Sequence, residues 1–279
     1  MIHVDPTSGT LFAIRLEEAS KKYDQLVRPD VTKNEWGHYV TEALERLVLY
    51  GSRSFRPFVL KLMLGEETEK KEVLDGVRLC ESITVRYSLV GEKNPNRLEK
   101  IYSEFCSIFR GSESPWEEIV ASSYMDEVPG DEEFYQKLLD MQVSSTSQAW
   151  REFFSQLNEQ MGTGETKIQR NGRVHLEHIL PQKPRATSLQ ESGLLPGEAE
   201  QLVGNLGNLT LLSGKRNREL SNKPFSEKRF LYEGSEILMT REVAMEERWT
   251  REEILERARR LADLALKAYP HPREIARPA

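Results

Sequence analysis

The sequence predicts an α+β protein that is mostly α: a helical first part, then a smaller segment with short strands, closed by a helix. Three observations predict it. Apolar residues recur at spacings of three and four through the first 160 residues, the pattern turns to alternation near residue 174, and a capped amphipathic stretch follows at about 250–269. With 279 residues, 38% of them hydrophobic, the chain can fill one large or two modest domains. The glycine-rich run "MGTGET" is the expected boundary, giving a helical scaffold domain over 1–164 and a second domain over 165–279.

In the first domain, Leu11, Ile14 and Leu16, then Ala43, Leu44, Leu47 and Val48, read as helix packing faces. Further helices are expected at about 66–89, 97–110 and 132–142. A stripe through Trp150, Phe153, Phe154, Leu157 and Met161 ends at Gly162 and Gly164. In the second domain, Asn171-Gly172 is a turn signal before the alternating Val174 and Leu176 and the apolar Ile179, Leu180 and Pro181, which predicts a short hairpin. A Pro/Ser/Gly-rich loop follows over about 181–200, then an apolar strand in "LGNLTLLSGKRN". Residues 221–232 hold Pro224 near a helix start, with Phe225 and Phe230 available for packing. Thr250 and Glu253 form a capping box ahead of Ile254, Ala258, Leu261, Ala265 and Ala268.

Composition excludes several classes. No run approaches the roughly 18 apolar residues of a membrane span, and the first thirty residues lack the order of a signal peptide, so a cytoplasmic location and no membrane partner are expected. Cys80 and Cys106, the two cysteines, sit in apolar helical patterns without Cys-x-x-Cys spacing and read as buried free thiols rather than zinc ligands. The net charge is −6, yet residues 165–232 hold 11 Lys/Arg against 7 Asp/Glu, a local +4 on an acidic chain. A local phosphate-binding site is compatible with this; a protein that coats nucleic acid over its whole surface is not favoured. Neither a Walker loop nor a dinucleotide fingerprint occurs, so no nucleotide site is expected in the first half.

The chemistry-bearing residues gather in the second domain. His175, Glu177 and His178 fall within four residues, with His175 and Glu177 on one strand face and His178 on the other unless the strand bends toward Pro181. Alone, "HLEH" suits an ordinary solvated strand as well as a catalytic one. Asn205, Asn208, Asn217 and Asn222 follow, among Lys215, Arg216, Arg218 and Lys223. An asparagine amide oxygen can ligate a hard cation, and the same side chain can clamp a loop through backbone groups.

"VHLEHILPQ", "LGNLTLL" and "GKRNRELSNKPFSEKR" resemble, in order, the three motifs of the HNH (ββα-metal) nuclease superfamily, in the form found at the C-terminus of the GmrSD-type, modification-dependent restriction enzymes. "WTREEILERARRLADLALKAYP" resembles the closing helix of that domain, so the resemblance spans about residues 165–270. It implies a ββα-metal core at about 172–232 and a metal-dependent DNA endonuclease or nickase acting in restriction of foreign or modified phage DNA. By the same resemblance His178 is the general base, Glu177 and Asn217 hold one divalent metal, and Asn208 orients the loop that carries His178. Mg²⁺ is the expected ion and Mn²⁺ the alternative. Lys215, Arg216, Arg218 and Lys228 are candidate phosphate contacts, and His175 is a candidate ligand or substrate contact. Two departures from the commoner pattern stand out: Glu177 where aspartate is frequent, and Asn217 where many members carry a histidine.

"FRPFVLKLM" and "VRYSLVGEKNPNRLEKIYSEF" resemble the helical region that precedes the nuclease in single-chain GmrSD-type proteins. That resemblance implies an upstream nucleotide-hydrolysing domain or subunit as a partner, and a chain that is the C-terminal part of a longer protein. The competing reading is a module that binds nucleic acid or a partner on an inactive nuclease fold; RNA is the competing substrate.

Overall fold

The computed structural model describes residues 6–31, 33–65, 68–162 and 174–275. Among the described residues the chain is mostly helical, with a single two-stranded sheet, and no helix is long and apolar enough to cross a membrane. It divides into two compact units, Met1–Pro129 with His271–Ala279, and Gly130–Pro270.

The first unit is a helical array: α1 (Pro6–Val27), α2 (His38–Leu49), α3 (Arg56–Met63), α4 (Lys70–Ile83), α5 (Arg97–Gly111) and α6 (Pro115–Ala121). Beyond α4 the backbone widens over Thr84–Val90 and closes with the bond from Gly91 N–H to Arg86 carbonyl, 2.9 Å, five residues back. Leu44 and Leu47 from α2, Phe58 and Leu62 from α3, Val73 and Val77 from α4 and Tyr102 and Phe105 from α5 fill one core. The expected packing face at Leu11, Ile14 and Leu16 does not pack: all three are more than half exposed, because only the C-terminal part of α1, at Leu26, is covered. Val48 is likewise exposed. Both cysteines are free, and Cys106 is half-buried rather than buried.

The second unit begins earlier in the chain than residue 165. It comprises α7 (Asp131–Asp140), α8 (Gln148–Met161), β1 (Val174–His178), α9 (Ala186–Ser192), α10 (Pro196–Val203), β2 (Leu209–Ser213), α11 (Gly214–Leu220), α12 (Phe225–Glu233), α13 (Leu238–Val243) and α14 (Arg251–Ala268). The physical reason is the apolar face of α8: Phe153 stacks on Tyr269 at 5.4 Å, and Asn158 Oδ1 accepts the Met239 N–H at 3.0 Å, so α8 packs beside α14. From α7, the Leu139 carbonyl accepts the Asn205 amide at 3.0 Å.

β1 and β2 pair antiparallel, with His175 opposite Leu212, Glu177 opposite Thr210 and His178 opposite Leu209. The expected turn at Asn171-Gly172 lies outside the described residues; the described partner of β1 is the distant Leu209–Ser213. The expected loop at 181–200 instead contains α9 and most of α10. Short helices of this kind carry too few turns to show a period. α13 is a further short helix before Thr250. On α12 the buried face is Phe225, Lys228 and Tyr232, whereas Phe230 is 72% exposed.

α14 starts as its capping box predicts: Thr250 Oγ1 accepts from Glu252 N–H at 3.2 Å and the Glu253 carboxylate accepts from Thr250 N–H at 2.8 Å. Its buried face is Ile254, Arg257, Ala258, Leu261, Ala262 and Ala265. The turn before β2 lies directly on this face. A Cβ on Gly207 would stand 1.9 Å from the Ile254 carbonyl oxygen, so no larger residue fits there without moving backbone.

Candidate active site

The sheet ends at His178, and three features meet there. The first is the tight turn Leu206–Asn208 leading into β2. Asn205 caps it, its Oδ1 accepting from Gly207 N–H at 2.9 Å. The turn presents Asn208, which is fully buried, to the segment after His178. Asn208 Oδ1 accepts from Leu180 N–H at 2.7 Å while its Nδ2 donates to Leu180 carbonyl at 3.0 Å and to Val203 carbonyl at 2.9 Å. Trp249 Nε1–H adds a bond to Oδ1 at 3.0 Å, and Ile179 N–H donates to the Asn208 carbonyl at 2.9 Å. A single amide thus fixes both backbone groups of Leu180, two residues beyond the imidazole.

The second feature is α12, whose Lys228 is fully buried. Its ammonium donates to Glu177 Oε1 at 2.6 Å and to the His178 carbonyl. Tyr232, one turn on, places its hydroxyl 3.4 Å from the same Oε1. Burial pushes the Glu177 carboxyl up and the Lys228 ammonium down, each toward its neutral form, and the contact between them opposes both shifts. Lys228, expected among the phosphate contacts, therefore faces inward: a cation with no exposed surface has no path to a DNA backbone.

The third feature is α11, which packs against both strands. Asn217 Nδ2 donates to the Leu176 carbonyl at 3.4 Å, so the amide lies over β1 and its Oδ1 is left as an acceptor. The side chains of Lys215, Arg216 and Arg218, on the same helix, lie outside the described ones. His175 stands near the other end of β1 and is exposed.

His178 itself is 9% exposed, and among the described residues its imidazole makes no hydrogen bond. Burial, with the Lys228 charge as a second cause, pushes its pKa down to about 4. The imidazole is accordingly neutral near pH 7, with a free lone pair.

Residues 128–264 match the family model described as the GmrSD restriction endonucleases, C-terminal domain. That stretch belongs to this family. The reaction class is therefore that of a restriction endonuclease, a hydrolase with DNA as its substrate. The comparison with curated proteins gave no match. The matched stretch opens within three residues of the second unit and holds β1, β2, α11 and most of α14, so the GmrSD C-terminal domain here includes α7 and α8 as well as the strand-bearing part.

Motif assigns no role to Tyr232, Trp249 or the nearby buried Arg257, and it assigns Lys228 to phosphate rather than to Glu177. For two of them a signal exists. Lys228 stands three residues after Phe225 and four before Tyr232, and Arg257 stands three after Ile254 and four before Leu261. Each is a cation at an apolar position of a helical stripe.

Proposed function

We propose that β1, β2 and α11 form an HNH-type, metal-dependent nuclease site that hydrolyses DNA phosphodiesters, with His178 as general base. The observation that carries this reading is the two-way clamp of Asn208 on Leu180, on a strand–strand–helix unit that also brings Asn217 over β1. Catalysis of this kind needs an imidazole held in place, and here the backbone behind it is bonded from the turn and from Lys228.

Among the described residues no three His, Cys, Asp or Glu side chains gather to hold a metal. The donors that are present are hard oxygens: the Glu177 oxygen not engaged by Lys228 and Tyr232, and Asn217 Oδ1. Hard oxygens of this kind would suit a divalent ion that retains several waters, Mg²⁺ or Mn²⁺. Held by Glu177 and Asn217, such an ion would supply charge stabilisation at the phosphate and the leaving oxygen. The protein's own part is proton transfer: a neutral imidazole nitrogen of His178 takes the proton from water as its oxygen joins phosphorus and the ester oxygen departs. Recognition of modified DNA, and the choice between one cut strand and two, belong to the same proposal through the family.

Supercoiled plasmid incubated with the chain and Mg²⁺ or Mn²⁺ is expected to become open-circular or linear, and EDTA to stop it. Intact plasmid of ordinary and modified base composition across both metals would leave the nuclease reading without support and favour a binding module.

The buried imidazole gives the reaction a distinctive pH profile. Its pKa is depressed, so the neutral form persists as pH falls until about 4. Between pH 7.5 and 5.5 the single-turnover rate is expected to change less than about twofold, whereas an imidazole titrating at about 6.5 would lose about tenfold. The same shift has a sign for stability: the fold's preference for neutral His178 is undisturbed above the unfolded value and is lost as pH falls through the folded one.

A further inference from the structure

Arg257 sits mid-way along the buried face of α14 and is 1% exposed. Its Nη1 donates to the carbonyls of Gly207 and Leu209, each at 2.7 Å, and its Nη2 reaches the Met239 carbonyl at 3.5 Å. Among the described residues no carboxylate is bonded to it, and its Nε has no partner. Burial pulls the pKa down to about 10, which still leaves the group charged at neutral pH. A buried cation without a hydrogen-bonded anion is costly, and its neighbours on the same stripe, Ile254, Ala258 and Leu261, show that the helix packs well with apolar residues. Packing therefore does not explain the arginine.

The contacts of the guanidinium do explain it. Gly207 and Leu209 bracket Asn208, and one nitrogen holds both of their carbonyls, while Gly207 rests against the Ile254 backbone. The turn is thereby gripped on either side of the residue that clamps Leu180. We propose that Arg257 is a positioning residue of the nuclease site, acting through Asn208 on the backbone of Ile179 and Leu180 and so on His178. The proposal rests on the nuclease reading for its consequence in catalysis, and on geometry alone for the link between Arg257 and Asn208.

Two protons report that link without any cleavage: the Leu180 amide and the Trp249 indole N–H, both donated to Asn208 Oδ1. In Arg257→Met both are expected to exchange with solvent at least about tenfold faster than in the wild type, while amides in the middle of α8 keep their rates. The kcat for plasmid cleavage is expected to fall at least about tenfold with KM for DNA unchanged. Arg257→Lys, which keeps the charge but not the two-carbonyl grip, is expected to show the same exchange signature to a smaller degree. Wild-type exchange at both protons in Arg257→Met would overturn the proposal. So would a uniform acceleration across the second unit in both variants, including outright failure to fold, since that marks support of the fold rather than of the site. Should the wild type not cleave DNA at all, the nuclease reading fails and the exchange result still decides the link between Arg257 and Asn208.

Discussion

Replacing His178 with alanine is expected to remove metal-dependent DNA cleavage, lowering the single-turnover rate by about 10²–10⁴-fold, the range for loss of a positioned general base. The fold should survive, because the imidazole makes no hydrogen bond among the described residues and the strand is held through the His178 carbonyl, which the substitution keeps. Circular dichroism and DNA affinity should match the wild type while plasmid stays supercoiled. A His178→Ala protein that nicks at the wild-type rate would show that another group takes the proton, and the role given to β1 would have to be abandoned.

The second large effect is on stability. In Lys228→Met the carboxylate of Glu177 remains 6% exposed without its ammonium partner, and removal of one member of a buried pair costs about 3–5 kcal/mol. Urea denaturation of the second unit's transition is the measurement. The double variant Lys228→Met with Glu177→Gln removes the stranded charge and is expected to recover more than half of that loss. If the double variant were no more stable than the single one, the energy would lie in the bond to the His178 carbonyl instead. Either result separates the two contacts that one ammonium makes.

The sequence carried the long helices and the closing cap, because periodicity over three or more turns and a Thr-x-x-Glu box are local signals. α5 and α14 lie where the pattern puts them. It carried both strands, Val174–His178 through alternation and Leu209–Ser213 as an apolar run, but not their pairing, which is a contact between distant stretches that no local pattern encodes. The same holds within the site. Asn208 is legible by motif, yet its four side-chain bonds go to residues 5, 28 and 41 positions away. Lys228 reads as a candidate phosphate contact in a basic stretch, and only its place in the apolar stripe of α12 hints that it lies inside. Gly162 and Gly164 read as a boundary, whereas the aromatic face of α8 commits that helix to the strand-bearing unit downstream. A glycine-rich composition and the direction in which a helix packs are separate properties.

The position of α14 also orders events in time. His178, Asn208 and Asn217 have all been synthesised before the ribosome reaches Arg251, but the surface on which the Gly207 turn rests, with Ile254 and Arg257, is still missing. A nascent chain thus holds every group named in the proposed chemistry and lacks the surface under the turn that carries Asn208. On the proposed roles, hydrolytic competence is expected only once the last long helix docks, in chains whose synthesis has passed that point.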